Sequence, residues 1–85
     1  MTIELSLFGA FRQYEPAARV RLDIDGGTVA DVRAALERHA AAHWPELRPG
    51  LLQASAFASE SRVLRDGEPV PEDGRMAILP PVSGG

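Results

Sequence analysis

The sequence predicts an α+β domain: a mixed four- to five-stranded sheet packed on one main helix, followed by an extended C-terminal tail. Two patterns carry this expectation. Apolar and polar residues alternate with a period of two near both ends of the chain, whereas residues 29–40 place apolar side chains three and four apart. Their order, two strands, a helix, then three further strands, gives two hairpins around one helix and a sheet with one covered face.

Ile3, Leu5 and Leu7 alternate with Thr2, Glu4 and Ser6, which predicts a first strand with one buried face, interrupted at Gly9. After a loop containing Pro16, Val20, Leu22 and Ile24 alternate with Arg19, Arg21 and Asp23 as the hairpin partner. Gly26 and Gly27 then lead to Thr28, a helix cap, with Asp31 three residues later completing a relative of the capping box. Val29, Val32, Leu36 and Ala40 form the apolar stripe, with Arg33, Glu37 and Arg38 off it. The helix should run for about four turns and stop before Pro45, because the residue preceding a proline is pushed out of helical geometry.

Beyond Pro49 and Gly50, residues 52–59 read as a strand, although the alanines leave its inward face unassigned. Val63, Leu64 and Val70 flank the Asp66-Gly67 turn pair in a short hairpin-like segment. Asp73-Gly74 turns the chain into the last strand, Arg75 to Leu79, which Pro80 and Pro81 end because they supply no ladder donors. The expected division is a folded domain over residues 1–79 and a flexible Gly-Gly tail over 80–85.

Eighty-five residues with 45% hydrophobic content make one domain. A chain of this size buries only about 60–65% of its unfolded surface, so function is expected on the outside rather than in a deep enclosed site. A net charge of -3 argues against a nucleic-acid surface. The start lacks the basic and continuous apolar regions of a signal peptide, and no run approaches the roughly 20 apolar residues that cross a bilayer. A cytoplasmic protein without membrane contact is expected. With no cysteine, disulfides, thiolate metal sites and a cysteine nucleophile are excluded. All nine basic residues are arginine, so no lysine amine is present to accept an acyl group.

The chemistry is then sought in the tail, Pro80-Pro81-Val82-Ser83-Gly84-Gly85. Two prolines favour an extended spacer, and six extended residues reach at most roughly 20 Å. Gly84 and Gly85 carry no side chains, so a carboxylate at Gly85 can pass a narrow channel and be approached from several directions. At a pKa of roughly 3.5 that carboxylate is ionised and a poor electrophile at neutral pH. It needs activation, and a mixed anhydride with AMP would let a sulfur nucleophile attack the carbonyl carbon to give a thiocarboxylate.

The run Leu79-Pro80-Pro81-Val82-Ser83-Gly84-Gly85 resembles the ending of molybdopterin synthase small subunits, in the MoaD/ThiS group of ubiquitin-like sulfur carriers. Leu7-Phe8-Gly9-Ala10-Phe11-Arg12, Gly27-Thr28-Val29 and Asp73-Gly74 are similar too, so the resemblance spans nearly the whole chain. One departure is Ile78-Leu79, where such proteins often carry aromatic residues before the diproline.

The resemblance implies the ubiquitin-like β-grasp fold and a non-catalytic sulfur-donor subunit. Gly85 would be the acyl-adenylate and thiocarboxylate position, with Gly84, Ser83, Val82, Pro81 and Pro80 inserting into the partner. No cofactor would be held permanently. ATP and magnesium would be used by an adenylating enzyme of the ubiquitin-activating type, and a persulfide donor would supply sulfur. The large synthase subunit would complete a heterotetramer and contribute the catalytic side chains. Alternative destinations for the sulfur are thiamine thiazole, cysteine and thiolated tRNA. A ubiquitin-like protein modifier and a β-grasp interaction module without carrier chemistry are the other readings.

Phe8, Phe11, Tyr14 and Phe57 are expected mainly in or beside the core, and Trp44 under the helix end; Phe8, Phe11 and Leu79 are the alternative candidates for a partner-docking patch. His39 and His43, four apart, share a helix face as two zinc ligands would, but only Glu46 offers itself as a third, and no metal site is expected. Ser55, Ser59, Ser61 and Ser83 lack a nucleophile-elbow context. Glu68, Glu72 and Asp73 read as solvated turn residues, and Gly26-Gly27 lacks the lysine of a phosphate loop.

Overall fold

The computed structural model describes residues 1–48 and 50–81. Five strands, β1 (Thr2–Leu7), β2 (Arg19–Asp23), β3 (Ala56–Ala58), β4 (Val63–Leu64) and β5 (Arg75–Leu79), form one sheet in the order β2-β1-β5-β3-β4. The helix α1 (Val29–His43) covers one face. β1 pairs antiparallel with β2, and β3 antiparallel with β4 and β5, but β1 and β5 run parallel. Parallel neighbours need a crossover, and the chain between β2 and β3, α1 included, supplies it. The last strand therefore lies in the middle of the sheet, gripped on both sides.

Alternation along each strand decides which face is dry. Ile3, Leu5, Leu7, Val20, Leu22, Phe57, Met76 and Ile78 are all buried, against Val29, Val32, Ala35, Leu36 and Ala40 from α1. Burying one such aliphatic side chain stabilises the fold by about 1.5–3 kcal/mol. Thr28 and Asp31 form the expected capping box in full: the Asp31 amide donates to the Thr28 hydroxyl at 3.4 Å, and the Thr28 amide to the Asp31 carboxylate at 3.0 Å. The Thr28 amide, together with the Thr28 hydroxyl, which donates to the same carboxylate at 2.9 Å, holds the Asp31 carboxyl below its ordinary value. The next two amides of the first turn, Val29 and Ala30, donate to the carbonyls of Glu68 and Asp66 at 3.0 and 2.9 Å. The Asp66-Gly67 turn thus doubles as a tertiary cap for the donors a helix start leaves over.

Three local expectations need correction. Residues 52–59 are not one strand, because Leu51–Ala54 form a short helix, α2, and only Ala56–Ala58 pair into the sheet. The Ser55 hydroxyl donates to the Leu51 carbonyl at 2.6 Å and closes that turn, a local bond that competes with strand geometry. The loop after β1 contains a 3-10 helix, Gly9–Tyr14, which brings Phe11 into the core. Val70 does not pair with β4; its amide donates to the Gly27 carbonyl at 2.9 Å and ties the segment to the start of α1.

Candidate functional site at the end of the central strand

β5 ends at Leu79 beside the end of β1, with Leu7 opposite Ile78 in the parallel register. The chain therefore leaves the domain from the centre of the sheet. Pro80 is half-buried and Pro81 exposed. The remaining tail positions named from the sequence, Val82, Ser83, Gly84 and Gly85, lie outside the described residues. At the exit, β1 turns away through Gly9, whose φ of +57° lies in the left-handed region. A Cβ at Gly9 would sit 2.6 Å from Cγ of Pro80, so the Pro80 ring occupies the space that the missing side chain leaves.

The sheet face opposite α1 carries the docking candidates. Alternation puts Glu4, Ser6 and Phe8 of the first segment and Arg75, Ala77 and Leu79 of β5 on this side. They line a shallow depression of about 420 Å³ running up to the tail exit, closed on its other flank by Ala58, Ser59 and Glu60. Phe8 is 47% exposed at its rim, and Val63 of β4 is 58% exposed further along the sheet. Val63 was read only as part of a short strand, and its exposure follows from its alternation with the buried Leu64. Charge flanks the apolar ground. Arg19 and Arg21 of β2 reach the Glu4 carboxylate at 3.5 and 3.9 Å, and Arg75 stands across from Glu4 in the ladder.

Phe11 is the docking candidate that the structure corrects. It is 0% exposed, because the 3-10 helix turns its ring inward towards Trp44, with ring centres 6.4 Å apart. Trp44 does pack under the end of α1, stacked on Tyr14 at 5.3 Å, and its indole N–H donates to Glu15 Oε2 at 2.8 Å. That bond, with a second contact from His39 Nε2 at 3.3 Å, holds the Glu15 carboxyl below its ordinary value of 4.5. His39 and His43 do share a face, with ring centres 4.5 Å apart. Among the described residues, no group of three or more His, Asp or Glu side chains converges to hold a metal ion.

Arg33, expected only as a polar residue off the helix stripe, holds the segment that leads into β3. Its guanidinium pairs with both oxygens of Asp66 at 3.1 and 2.8 Å, and donates to the carbonyls of Leu52 and Ser55 at 2.6 and 2.9 Å. It also lies 4.9 Å from the centre of the Phe57 ring. An i-to-i+33 pairing of this kind leaves no periodic trace in a sequence. It fixes β3, and through β3 one side of the strand that carries the tail.

With this geometry in place, the comparisons with known proteins converge. A ThiS family model matches residues 5–85, from the first strand to the final glycine. The chain belongs to the ThiS family. Within the curated proteins, this ThiS family chain is 36% identical over 87 residues to the molybdopterin synthase sulfur carrier subunit of Synechococcus elongatus, covering 99% of this chain and 97% of that protein. Among solved structures, SAMP1 from Haloferax volcanii superposes with a TM-score of 0.67 at 27% identity, over all of both chains. A chain in the BexX/CysO complex of Amycolatopsis orientalis superposes with a TM-score of 0.57 at 20% identity, over 98% of this chain and 99% of that one, which shows the shared fold. The ubiquitin-like β-grasp expected from the sequence is the observed architecture.

Proposed function

We propose that this chain is the sulfur-carrier subunit of a molybdopterin synthase, adenylated and then thiocarboxylated at Gly85, which donates its sulfur to build the molybdopterin dithiolene. The observation that carries the reading is the 36% identity, over nearly the full length, to a molybdopterin synthase sulfur carrier subunit, in a chain whose Pro-Pro-Val-Ser-Gly-Gly segment follows the central strand. The body contributes no side-chain chemistry to this reaction. It presents the carboxylate and identifies the carrier to its partners.

In the activating enzyme, a Gly85 carboxylate oxygen attacks the α-phosphorus of magnesium-bound ATP and pyrophosphate leaves. The terminal sulfur of a persulfide then attacks the acyl carbon and expels AMP. A second thiol cleaves the resulting acyl disulfide, which releases the thiocarboxylate and leaves a disulfide on the donor side. In the large subunit the thiocarboxylate sulfur passes to the pterin precursor, and hydrolysis returns the carboxylate. Pro80 and Pro81 act as the spacer, and Gly84 and Gly85 as the part without side chains that enters the partner's channel. The depression edged by Phe8 and Leu79 is the docking face for the large subunit and for the adenylating enzyme, and these encounters take place in the cytoplasm.

Reconstitution tests the reading. With the large subunit, the adenylating enzyme, ATP, magnesium and a sulfur donor, the full chain yields molybdopterin. Deletion of Gly85 leaves the thermal unfolding transition in place and abolishes the product. Product formation by the truncated chain contradicts the mechanism.

A further inference from the structure

The carrier reading requires a carboxylate that points into an enzyme, yet six residues of tail can point in many directions. The contact at the exit bears on this. The Pro80 ring rests where Gly9 lacks a Cβ, with its Cγ 2.6 Å, Cδ 3.3 Å and Cβ 3.9 Å from the position that atom would take. Gly9 is at φ +57°, so β1 turns aside at the level where β5 runs out. β5 is held between β1 and β3, which makes the floor of the contact part of the sheet.

We propose that Gly9 is a positioning residue for acyl transfer: the Pro80 ring seated on its bare backbone sets the direction in which the tail leaves the domain. The inference rests on the carrier reading and deepens it. Phe8, next to the seat, is at the rim of the docking depression, so one turn of chain fixes both the surface a partner grips and the heading of the tail it must receive. Pro80 and Pro81 both have φ fixed by their rings, so a rotation at the seat is passed on to Pro81.

Gly9→Asn tests the seat, because asparagine tolerates the left-handed region but brings the colliding Cβ. Pro80→Ala supplies the relief, since it removes the two ring atoms closest to that Cβ and keeps the one at 3.9 Å. Adenylation by the cognate activating enzyme is followed by pyrophosphate release, as KM and kcat for the carrier. Gly9→Asn should lower kcat about tenfold with KM within about twofold of wild type, because the docking face is intact while the carboxylate is misdirected. In the Pro80→Ala background the same substitution should cost less than about twofold, the non-additivity expected of two residues in contact.

The seat is also read without any enzyme, as nuclear Overhauser contacts from the Gly9 α-protons to the Pro80 ring in the wild type. A wild-type chain that is not adenylated overturns the carrier reading itself, and the catalytic consequence of the seat with it. An adenylated wild type with a folded Gly9→Asn variant of unchanged kcat overturns the seat alone. So does a kcat loss of equal size in both backgrounds, or absence of the Gly9–Pro80 contacts.

Discussion

Phe8 and Phe11 stand three apart and differ sharply in burial. Phe11 is sealed in the core by the 3-10 helix, whereas Phe8, at the point where β1 ends, keeps its ring 47% exposed beside the tail exit. Truncation should separate the two. Phe11→Ala is expected to cost about 3–4 kcal/mol in urea denaturation, as large cavities in small cores do. Phe8→Ser should change stability by less than about 0.5 kcal/mol. If the proposed docking face is used, the same Phe8 variant should weaken binding to the large subunit by about tenfold in calorimetry, because an exposed aromatic side chain that a partner covers is worth more than about 1 kcal/mol. Composition cannot make this distinction. Both residues follow β1 in an apolar run, and only the 3-10 helix, whose turn begins at a glycine of positive φ, decides which ring goes inside.

Among the elements, those with a regular period were legible and those set by single bonds were not. The buried stripe of α1 and the alternation of β1, β2 and β5 stand in the sequence, and so does the Thr28 cap. α2 was not legible, because its form is set by the Ser55 hydroxyl and by an arginine from another helix that binds the carbonyls of Leu52 and of Ser55 at its C-terminal end. The Arg33–Asp66 pair also makes this part of the fold pH-dependent. Bonding to Arg33 lowers the Asp66 carboxyl from its ordinary 3.8, so the stability it contributes is present above that unfolded-state value and is lost as pH falls through the folded-state value. Arg33→Met should therefore cost about 2 kcal/mol at pH 7, through the lost pair and the two abandoned carbonyls, and visibly less at pH 3. A cost independent of pH would mean that packing on Phe57, not the ion pair, holds the clamp.

For the molecule as a whole, topology explains why so small a domain suits this chemistry. The strand that leads to the tail is central, paired on both edges, and backed by Met76 and Ile78 in the core. A load on the tail would therefore fall on a strand paired on both edges rather than on a fraying edge. The role proposed for residues 80–85 rests on chain chemistry alone and draws nothing from the fold beyond the place where β5 ends. Of the residues named for the proposed docking face, Phe8 is exposed and Leu79 half-buried at the tail exit, whereas Phe11 is sealed in the core and the exposed Val63 was not among them. Strand order was the missing information, as it decides which alternating positions of four different strands become neighbours.

The central claim is that Gly85 carries sulfur, and intact-mass measurement of the full chain tests it most directly. After incubation with the adenylating enzyme, ATP, magnesium and a persulfide donor, the chain should gain the difference between one sulfur and one oxygen atom, localised by fragmentation to Gly85. The gain should vanish when ATP is omitted. A chain that remains at its starting mass while the same enzymes convert an established carrier, or one that gains the mass at any other residue, would contradict the account.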